Sequence, residues 1–511
     1  MKPNIVLIMT DQQRADLARR EGYPLDTMPF VDGLAAEGTW FSRAYTPAPV
    51  CMVARAAMLT GRYPSANRVR TNYNAEDLYA ATDMMRHFRE AGYATGLSGK
   101  NHSHLTPGDV DLWFHTGHVG GDDAREDARL KEFDRFIGTM HMHLHTEPTP
   151  FPVEYQLPHR IVDQARSWIE TLERDRPFLL WMSFPEPHNP YQVPEPYYSL
   201  FPPEALPPVQ YGPEALPTKG FGYEWCRRSF EGAFPDYAAT IDRARANYHG
   251  MIRMVDDQVR RFVEFLAESG RLEDTLLVFV SDHGDFAGEY GLMRKGPDLN
   301  ELLARVPMIF RGPGVVPRPE PQTAHVSLVD IFPTLCEASG TEIPAGVQGR
   351  SLWPLLTGEP YPEAEFASAY AEHGFGGLPY CGGEPLDPAL DGFEPSPPDG
   401  AWGGYDCLNS RTQSGTTRML RRDDWKLAFD ALGRGELYHL PTDPREMRNR
   451  FGDSDVAAVQ AELTADLLTW MLRVQDPLPL PRANRQGRRY VPKTAPHNFW
   501  TPHVPKTQQK N

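Results

Sequence analysis

The chain is poor in cysteine and in positive charge for its length. Its 511 residues include 5 cysteines, none of them paired at a spacing typical of zinc sites, and an odd number implies no disulfide framework. Lysine and arginine total 52 against 68 aspartate and glutamate residues, a formal net charge of -16. Because a nucleic-acid backbone is bound by a positive surface, we expect no nucleic-acid partner. A few buried cations can still hold a small anion inside an acidic protein.

Long apolar stretches are also missing. No run approaches the ~18 consecutive apolar residues of a membrane span, so we expect no membrane partner. Residues 1–12 carry one lysine and a short apolar run that soon turns polar, which is unlike a secretory signal peptide. These absences predict a cytoplasmic protein.

Four short apolar runs predict buried parallel strands, because a sheet covered by helices on both sides needs apolar residues on both faces. They are residues 4–9, 93–98, 177–184 and 275–281. Helical patterns lie between them, and the longest covers residues 241–269 with apolar residues at three- and four-residue steps. The alternation predicts an α/β fold with a doubly wound, mostly parallel sheet.

The remainder of the chain predicts further units. We expect residues 1–365 to form the catalytic domain, in which residues 190–234 are an ordered insertion rich in proline and aromatic residues. Residues 366–476 combine short strands and turns with a terminal helix, which predicts a smaller C-terminal α+β domain with an antiparallel sheet. Residues 477–511 are a basic, proline-rich tail that either wraps another subunit or is partly disordered. The tail and the insertions favour a homo-oligomer.

Polar residues follow each predicted strand. In open α/β sheets ligands bind beyond the carboxyl ends of the strands, so these residues should meet on one face. They are Asp11, Gln12, Lys100, His102, His188, Asp282 and His283. The oxygen donors suit calcium or magnesium better than zinc, while the lysine and histidines, joined by Arg55, suit a tetrahedral anion such as sulfate or phosphate. Cys51 adds a nucleophile position at the start of a helical pattern.

Motifs in register across roughly residues 3–450 resemble the type I sulfatases of the alkaline phosphatase superfamily. They are TDQQRAD, Cys51-x-x-x-Arg55 continued by LTGRYP, GKNH, PHNPY, SDHGDFAGEYGL with RKG, and ELYHLPTDPRE. The resemblance implies an alkaline-phosphatase-like fold and the metal-dependent hydrolysis of a small anionic ester, in first place a sulfate monoester.

The resemblance also implies roles for single residues. Cys51 stands at the position that a formylglycine-generating enzyme converts to formylglycine, whose hydrate attacks sulfur, and Arg55 would steady it. Lys100, His188 and Lys295 would hold the anion or assist the leaving group, and His102 would orient or deprotonate the hydrate. One divalent ion, Ca²⁺ first and Mg²⁺ or Mn²⁺ as alternatives, would be bound by Asp11, Gln12, Cys51, Asp282 and His283.

Two positions depart from the family pattern. Val53 and Ala54 stand where the family has the proline and serine that the maturation enzyme reads. Gln12 stands where many members have a second aspartate. Phosphonate monoester hydrolases and choline sulfatases resemble this chain in using Asp-Gln at this place. Three hypotheses therefore stay open: a sulfatase, a phosphonate monoester or phosphodiester hydrolase, and a family member that does not mature its nucleophile and acts as a binding protein.

Overall fold

The computed structural model describes residues 2–140, 142–296, 298–376, 379, 381–382 and 415–475. The strands, in chain order, are β1 (Asn4–Thr10), β2 (Thr39–Trp40), β3 (Ala44–Tyr45), β4 (Ala94–Lys100), β5 (Leu112–Thr116), β6 (Phe178–Ser183), β7 (Thr275–Ser281), β8 (Met308–Arg311), β9 (Val326–Ser327), β10 (Ser368–His373), β11 (Thr417–Arg422), β12 (Trp425–Asp430) and β13 (Gly435–His439).

The α-helices are interspersed among these strands. In chain order they are α1 (Pro29–Ala36), α2 (Cys51–Thr60), α3 (Pro64–Asn67), α4 (Met84–Glu90), α5 (Ala128–Gly138), α6 (Leu157–Thr171), α7 (Tyr197–Leu200), α8 (Leu216–Lys219), α9 (Phe221–Ala233), α10 (Tyr237–Glu268), α11 (Glu301–Ala304), α12 (Ile331–Ser339), α13 (Trp353–Thr357) and α14 (Ala457–Val474). Among the described residues, no helix is long and apolar enough to cross a membrane.

A seven-stranded sheet with the order β2-β8-β7-β1-β6-β4-β5 forms the centre of the molecule. The strands β7, β1, β6, β4 and β5 run parallel to one another, and β8 and β2 continue the sheet through antiparallel pairs. The four strands predicted from apolar runs are the adjacent strands β7, β1, β6 and β4. Their carboxyl ends therefore lie side by side, as the predicted site requires.

Helices cover both faces of this sheet. Val6 and Ile8 of β1 join the core that contains α1, α6 and α10, whereas Ile5, Leu7 and Met9 join the core that contains α2, α4 and α12. This alternation follows from the opposite directions of successive side chains in a strand. The doubly wound, mostly parallel α/β fold predicted from the sequence is thus confirmed.

The C-terminal part contains a four-stranded sheet in the order β10-β11-β12-β13, antiparallel throughout. Leu467 and Trp470 of α14 share one apolar core with Leu420 and Leu427 of this sheet, and Tyr63, which follows α2, belongs to the same core. The predicted antiparallel sheet and helix are confirmed. The domain limits at 365 and 476 stay predictions, and the tail 477–511 lies outside the described residues.

Helix α2 carries the predicted nucleophile position at its first residue. Val50 precedes it in an extended conformation, and Gly61 ends it with φ 62°. A Cβ at Gly61 would lie 2.8 Å from Cγ1 of Val347, so both the backbone and the packing favour glycine there. At its other end Cys51, the first residue of the helix, lies beside Asp11 and Asp282 at the carboxyl edge of the sheet.

Candidate active site

The sulfur of Cys51 is buried among charged groups. Its Sγ lies 3.1 Å from Nε2 of His283, 3.3 Å from Nζ of Lys295 and 3.7 Å from Oδ1 of Asp11. Burial and Asp11 act to raise the pKa of the Cys51 thiol, but Lys100, Lys295 and His283 together hold it well below its ordinary value. The first turn of α2 is therefore a place where a negative charge is stabilised.

Asp11, Cys51, Asp282 and His283 are buried and present ligand atoms within 4.8 Å of one another. The two carboxylates meet because Thr10 of β1 is in register with Ser281 of β7, and each aspartate directly follows its strand. Nδ1 of His283 lies 2.9 Å from the Gly284 carbonyl. Since that contact needs a proton on Nδ1, Nε2 is left facing the other members of the group.

Two cations hold the outer oxygens of these carboxylates. Nε of Arg55 donates to Oδ2 of Asp282 at 2.8 Å, and the Lys100 ammonium donates to Oδ2 of Asp11. The inner Oδ1 atoms of Asp11 and Asp282 each lie 3.8 Å from Nε2 of His283. Burial acts to raise the pKa of Asp11, but Lys100 is the largest of several cations that hold it well below its usual range. Asp11 is therefore ionised near neutral pH, and both of its carboxylate oxygens can act as hydrogen-bond acceptors or metal ligands.

Gln12 contributes an amide whose orientation is set by its neighbours. Its backbone, at φ 68°, donates to Oδ1 of Asp282 at 3.0 Å, and its Nε2 donates to Oδ2 of Asp285 at 2.7 Å. Tyr191 donates to the same Asp285 oxygen at 2.8 Å. Because the amide nitrogen is bound by Asp285, Oε1 remains as the acceptor, 3.5 Å from Nζ of Lys295.

The residues present fit a hard divalent cation. The available donors are carboxylate oxygens of Asp11 and Asp282, the amide oxygen of Gln12 and the imidazole nitrogen of His283, a set rich in the oxygen ligands that Ca²⁺, Mg²⁺ and Mn²⁺ prefer. Arg55 and Lys100 bind the outer oxygens of the carboxylates, and in the described part of the chain only backbone N–H groups donate to Oδ1 of Asp282, so both Oδ1 atoms still face the region beside Nε2 of His283. Asp11, Cys51, Asp282 and His283 thus form a candidate metal-binding group.

Three histidines line the other side of the cluster. Burial lowers the pKa of His102, and the Cys51 side chain acts on it in the opposite direction. His188 places Nδ1 2.6 Å from the Asn189 carbonyl and stacks on His118 with ring centroids 3.9 Å apart. Burial first, and His118 second, holds the pKa of His188 well below its ordinary value.

The structure brings the predicted site residues together at the carboxyl edge of the sheet; their individual roles stay predictions. They are Asp11, Gln12, Cys51, Arg55, Lys100, His102, His188, Asp282, His283 and Lys295. His118 is a member of the cluster that sequence reasoning missed. It follows β5 by two residues, and the rule that ligands bind beyond strand ends would have found it had that strand been recognised.

Known proteins share this chain's sequence and fold. Residues 3–341 match the Sulfatase family model. Arylsulfatase from Clostridium perfringens is 30% identical over 406 residues, which cover 74% of this chain and 82% of that protein. Choline-sulfatase from Rhizobium meliloti is 27% identical over 503 residues, covering 91% and 85%. The crystal structure of phosphonate monoester hydrolase of Agrobacterium radiobacter has a TM-score of 0.78 at 24% identity, covering 96% of this chain and 100% of that one. This likeness confirms the predicted alkaline-phosphatase-like fold.

Proposed function

Because this chain belongs to the sulfatase family, we propose that it hydrolyses sulfate monoesters at the cluster around position 51. Family membership bears out the predicted enzyme class, a sulfuric ester hydrolase. One observation carries the proposal further: the Cys51 sulfur lies within 3.3 Å of the Lys295 ammonium and beside the carboxylates of Asp11 and Asp282. Position 51 therefore lies between the carboxylates, which suit a metal cation, and the Lys295 ammonium, which suits the anionic ester.

The cations would bind the ester's charged oxygens. Lys295 and Lys100 are ammonium groups at the nucleophile position, where they stabilise the charge that grows on the sulfuryl oxygens and on the leaving oxygen. Asp11 fixes Lys100 in place, and Arg55 fixes Asp282. Because these groups are already held before substrate arrives, little reorganisation is needed during the reaction.

The histidines would move protons. Burial lowers the pKa of His102, and the side chain at position 51 is close enough to act on that pKa, so His102 would serve as a base for the nucleophile. Nδ1 of His188 is bound to the Asn189 carbonyl, which leaves Nε2 for the leaving oxygen. Burial and His118 keep His188 neutral in the free protein, and a bound anion acts in the opposite direction, so His188 gains its proton together with the substrate.

A divalent cation belongs to this proposal. Asp11, Gln12, Asp282 and His283, with the residue at position 51, would hold Ca²⁺, or Mg²⁺ or Mn²⁺ as alternatives. When bound, such an ion supplies Lewis-acid stabilisation of negative charge. Dialysis against a chelator, followed by calorimetric titration with each ion, tests the identity of the metal.

The nucleophile is proposed to be formylglycine made from Cys51. Conversion exchanges the sulfur for oxygen and removes two hydrogens, so mass spectrometry of the peptide that contains position 51 decides the matter. This measurement is the most direct test of the proposal, because Val53 and Ala54 replace the residues that the maturation enzyme recognises. An active protein with an intact thiol would assign the attack to the Cys51 thiolate instead, and Cys51→Ala should be inactive in either case.

Phosphonate monoester or phosphodiester hydrolysis is the second candidate, favoured by Gln12. A neutral amide leaves the metal group with one negative charge fewer than a second aspartate would. A multifunctional alkaline phosphatase superfamily protein, PehA, from Trinickia caryophylli is 26% identical over 531 residues, covering 93% of this chain and 96% of that protein. Parallel turnover of aryl sulfate, aryl phosphonate and aryl phosphodiester with each metal ranks the two. Turnover of none would favour the binding-protein hypothesis.

Three further proposals concern the setting of the enzyme. They are maturation by a formylglycine-generating enzyme, a homo-oligomeric state and a cytoplasmic location. Co-expression with and without the maturation enzyme, sedimentation velocity and cell fractionation test them in that order.

A further inference from the structure

His118 lies beside Lys100 and His188, two of the residues proposed to contact the anionic ester. It follows β5, which pairs with β4 so that Lys100 is in register with Thr116. Its Nε2 lies 2.9 Å from Nζ of Lys100, and its ring stacks on that of His188 at a centroid distance of 3.9 Å and an interplanar angle of 23°. One imidazole therefore contacts both groups at once.

The hydrogen bonds of Lys100 show what this contact does. A lysine ammonium has three N–H donors, and Lys100 is only 2% exposed. One N–H is donated to Asp11 and a second to His118. Asp11 and His118, which follow different strands, fix the directions of two N–H bonds of the Lys100 ammonium. The direction of the third N–H bond is then fixed as well, and this N–H is available to an acceptor from outside the protein.

We propose that His118 is a positioning residue for ester cleavage: it aims the Lys100 ammonium by accepting one of its hydrogen bonds and keeps the His188 ring in place by stacking. The proposal rests on the proposed function for the identity of the external acceptor, an oxygen of the anionic ester. His118 acts through Lys100 and His188, and it forms no bond with the substrate itself.

The protonation state of His118 agrees with this role. Accepting from lysine requires the lone pair of Nε2, which puts the single proton of a neutral imidazole on Nδ1. Burial first, and Lys100 second, holds the pKa of His118 well below its ordinary value, so the neutral form is the one present near pH 7. A ¹⁵N spectrum of the ring nitrogens reports this tautomer directly.

Two substitutions separate the two contacts. His118→Phe keeps a ring to stack on His188 but offers no acceptor to Lys100, whereas His118→Gln keeps an acceptor and loses the ring. We expect kcat to fall about 10- to 100-fold in His118→Phe, because misplacing a catalytic group by about 1 Å costs about that much, with KM changed less. His118→Gln should recover part of the loss. His115→Phe is the matched control, since His115 lies on β5 three residues before His118 and stacks on Trp113, and its kcat should equal that of the unaltered protein.

A double-mutant cycle distinguishes positioning from simple packing. In a Lys100→Met background His118→Phe should have little further effect on kcat, because the group it positions is gone. Equal losses with and without Lys100, or an unchanged kcat in His118→Phe, would overturn the proposal.

Binding of inorganic sulfate, measured by calorimetry, keeps this test independent of turnover. Sulfate should bind about 10-fold more weakly to His118→Phe than to the unaltered protein if one of its donors is misdirected, and equal affinities would contradict the proposal. If the unaltered protein cleaves no aryl ester but sulfate binding still depends on His118, the proposed function fails while the positioning role stands. If it cleaves aryl sulfate and neither sulfate affinity nor kcat depends on His118, the positioning role fails alone.

Discussion

Two clusters of buried charge in this protein have their charges satisfied in different ways. The active-site cluster comprises Asp11, Arg55, Lys100, Asp282 and Lys295. The seam cluster, at the junction with the C-terminal sheet, comprises Lys219, Lys426 and Glu446. The loop that follows Lys295 leads directly into the seam, since Lys426 donates to the carbonyl of Leu299.

In the seam cluster the charges find their partners within the protein. Oε1 of Glu446 accepts from Lys426 at 2.6 Å and from the backbone of Glu301 at 2.7 Å, and Oε2 accepts from Asn300 at 3.2 Å. Lys219 donates to the Glu446 carbonyl at 2.9 Å. This arrangement fastens the C-terminal sheet to the loop that carries Lys295.

The active-site cluster is polarised instead. Arg55 and Lys100 hold the outer oxygens of the carboxylates, while Oδ1 of Asp11 meets Cys51 and His283 only at 3.7 and 3.8 Å. The only donor to this oxygen among the described residues is the Cys51 thiol, and a thiol is a weak donor, so Oδ1 of Asp11 is suited to binding a cation. Both clusters are buried, so burial does not distinguish them. The difference is that the seam carboxylate is fully hydrogen-bonded by the protein, as in a structural ion pair, whereas the active-site carboxylates keep an oxygen available to a ligand.

The largest effect is expected from Asp282→Asn, which breaks the polarised cluster. It removes one of the inner charged oxygens, so metal affinity should fall by more than the 10- to 100-fold typical of changes outside the ligand shell, about 1000-fold. Activity should fall with it. Calorimetric titration and turnover of aryl sulfate measure the two losses. Asp424→Asn, at a carboxylate 52% exposed beside Arg43, is the control, and an equal effect of both changes would discredit the metal group.

The next effect is expected from Glu446→Gln, which breaks the seam. Removing the charge takes the nearest carboxylate from the buried Lys426 and Lys219, which keep their bonds to backbone carbonyls, and such a change costs about 3 kcal/mol of unfolding free energy. Urea denaturation measures the loss. Glu90→Gln, in an exposed pair with Arg86, should cost no more than about 0.5 kcal/mol. Metal affinity should be unchanged in Glu446→Gln. A lower metal affinity in this variant would show that the seam cluster also supports the metal-binding group.

The pH dependence of the seam has a defined sign. Burial acts to raise the pKa of Glu446, but Lys426 and Lys219 lower it below the ordinary value of 4.5. A lowered pKa stabilises the folded state above pH ~4.5, and this contribution is lost as the pH falls through the folded-state pKa. The difference in unfolding free energy between the unaltered protein and Glu446→Gln should therefore shrink as the pH falls. A difference that grows in acid would show that the pKa of Glu446 is raised in the folded state and not lowered.

The sequence predicted the active-site cluster better than the seam, for a physical reason. Residues at the ends of β1, β4, β6 and β7 are marked by the apolar runs before them, and the sheet rule joins those ends without any knowledge of loops. Lys219, Lys426 and Glu446 follow no such run, and more than 200 residues separate the first two. Their contact depends on how the insertion and the C-terminal sheet pack, which no local pattern encodes.

The edges of the sheet were missed for a similar reason. Strand β5 has only partial burial at Leu112, Trp113 and His115, so it has no uninterrupted apolar run, and β2 has two residues. Because β5 was not predicted, His118 after it was not predicted as a site residue either, although it contacts Lys100 and His188, which were predicted. Edge strands are half covered and short, and their sequences resemble loops.

A smaller effect is expected from Asp285→Asn, which tests how the active-site cluster is oriented. Asp285 fixes the Gln12 amide through Nε2 at 2.7 Å, and it also accepts from the backbone of Arg294 at 2.8 Å. With an amide in its place Gln12 can turn its nitrogen inward, so metal affinity should fall about 10- to 100-fold, as for other residues that orient ligands. Unchanged affinity would show that Gln12 is no ligand.

The smallest effect comes from a matched pair of buried tyrosines, one in each cluster. Tyr191 donates to the Asp285 oxygen that also holds Gln12, whereas Tyr223 accepts from Asn300 in the seam at 3.1 Å. Replacing either by phenylalanine removes one hydrogen bond, and both variants should lose about 1 kcal/mol of unfolding free energy. Only Tyr191→Phe should also weaken metal binding, by a few-fold, because only its partner orients a ligand. Equal metal affinities in the two variants would mean that the polarised cluster, like the seam, is held mainly by its own protein contacts.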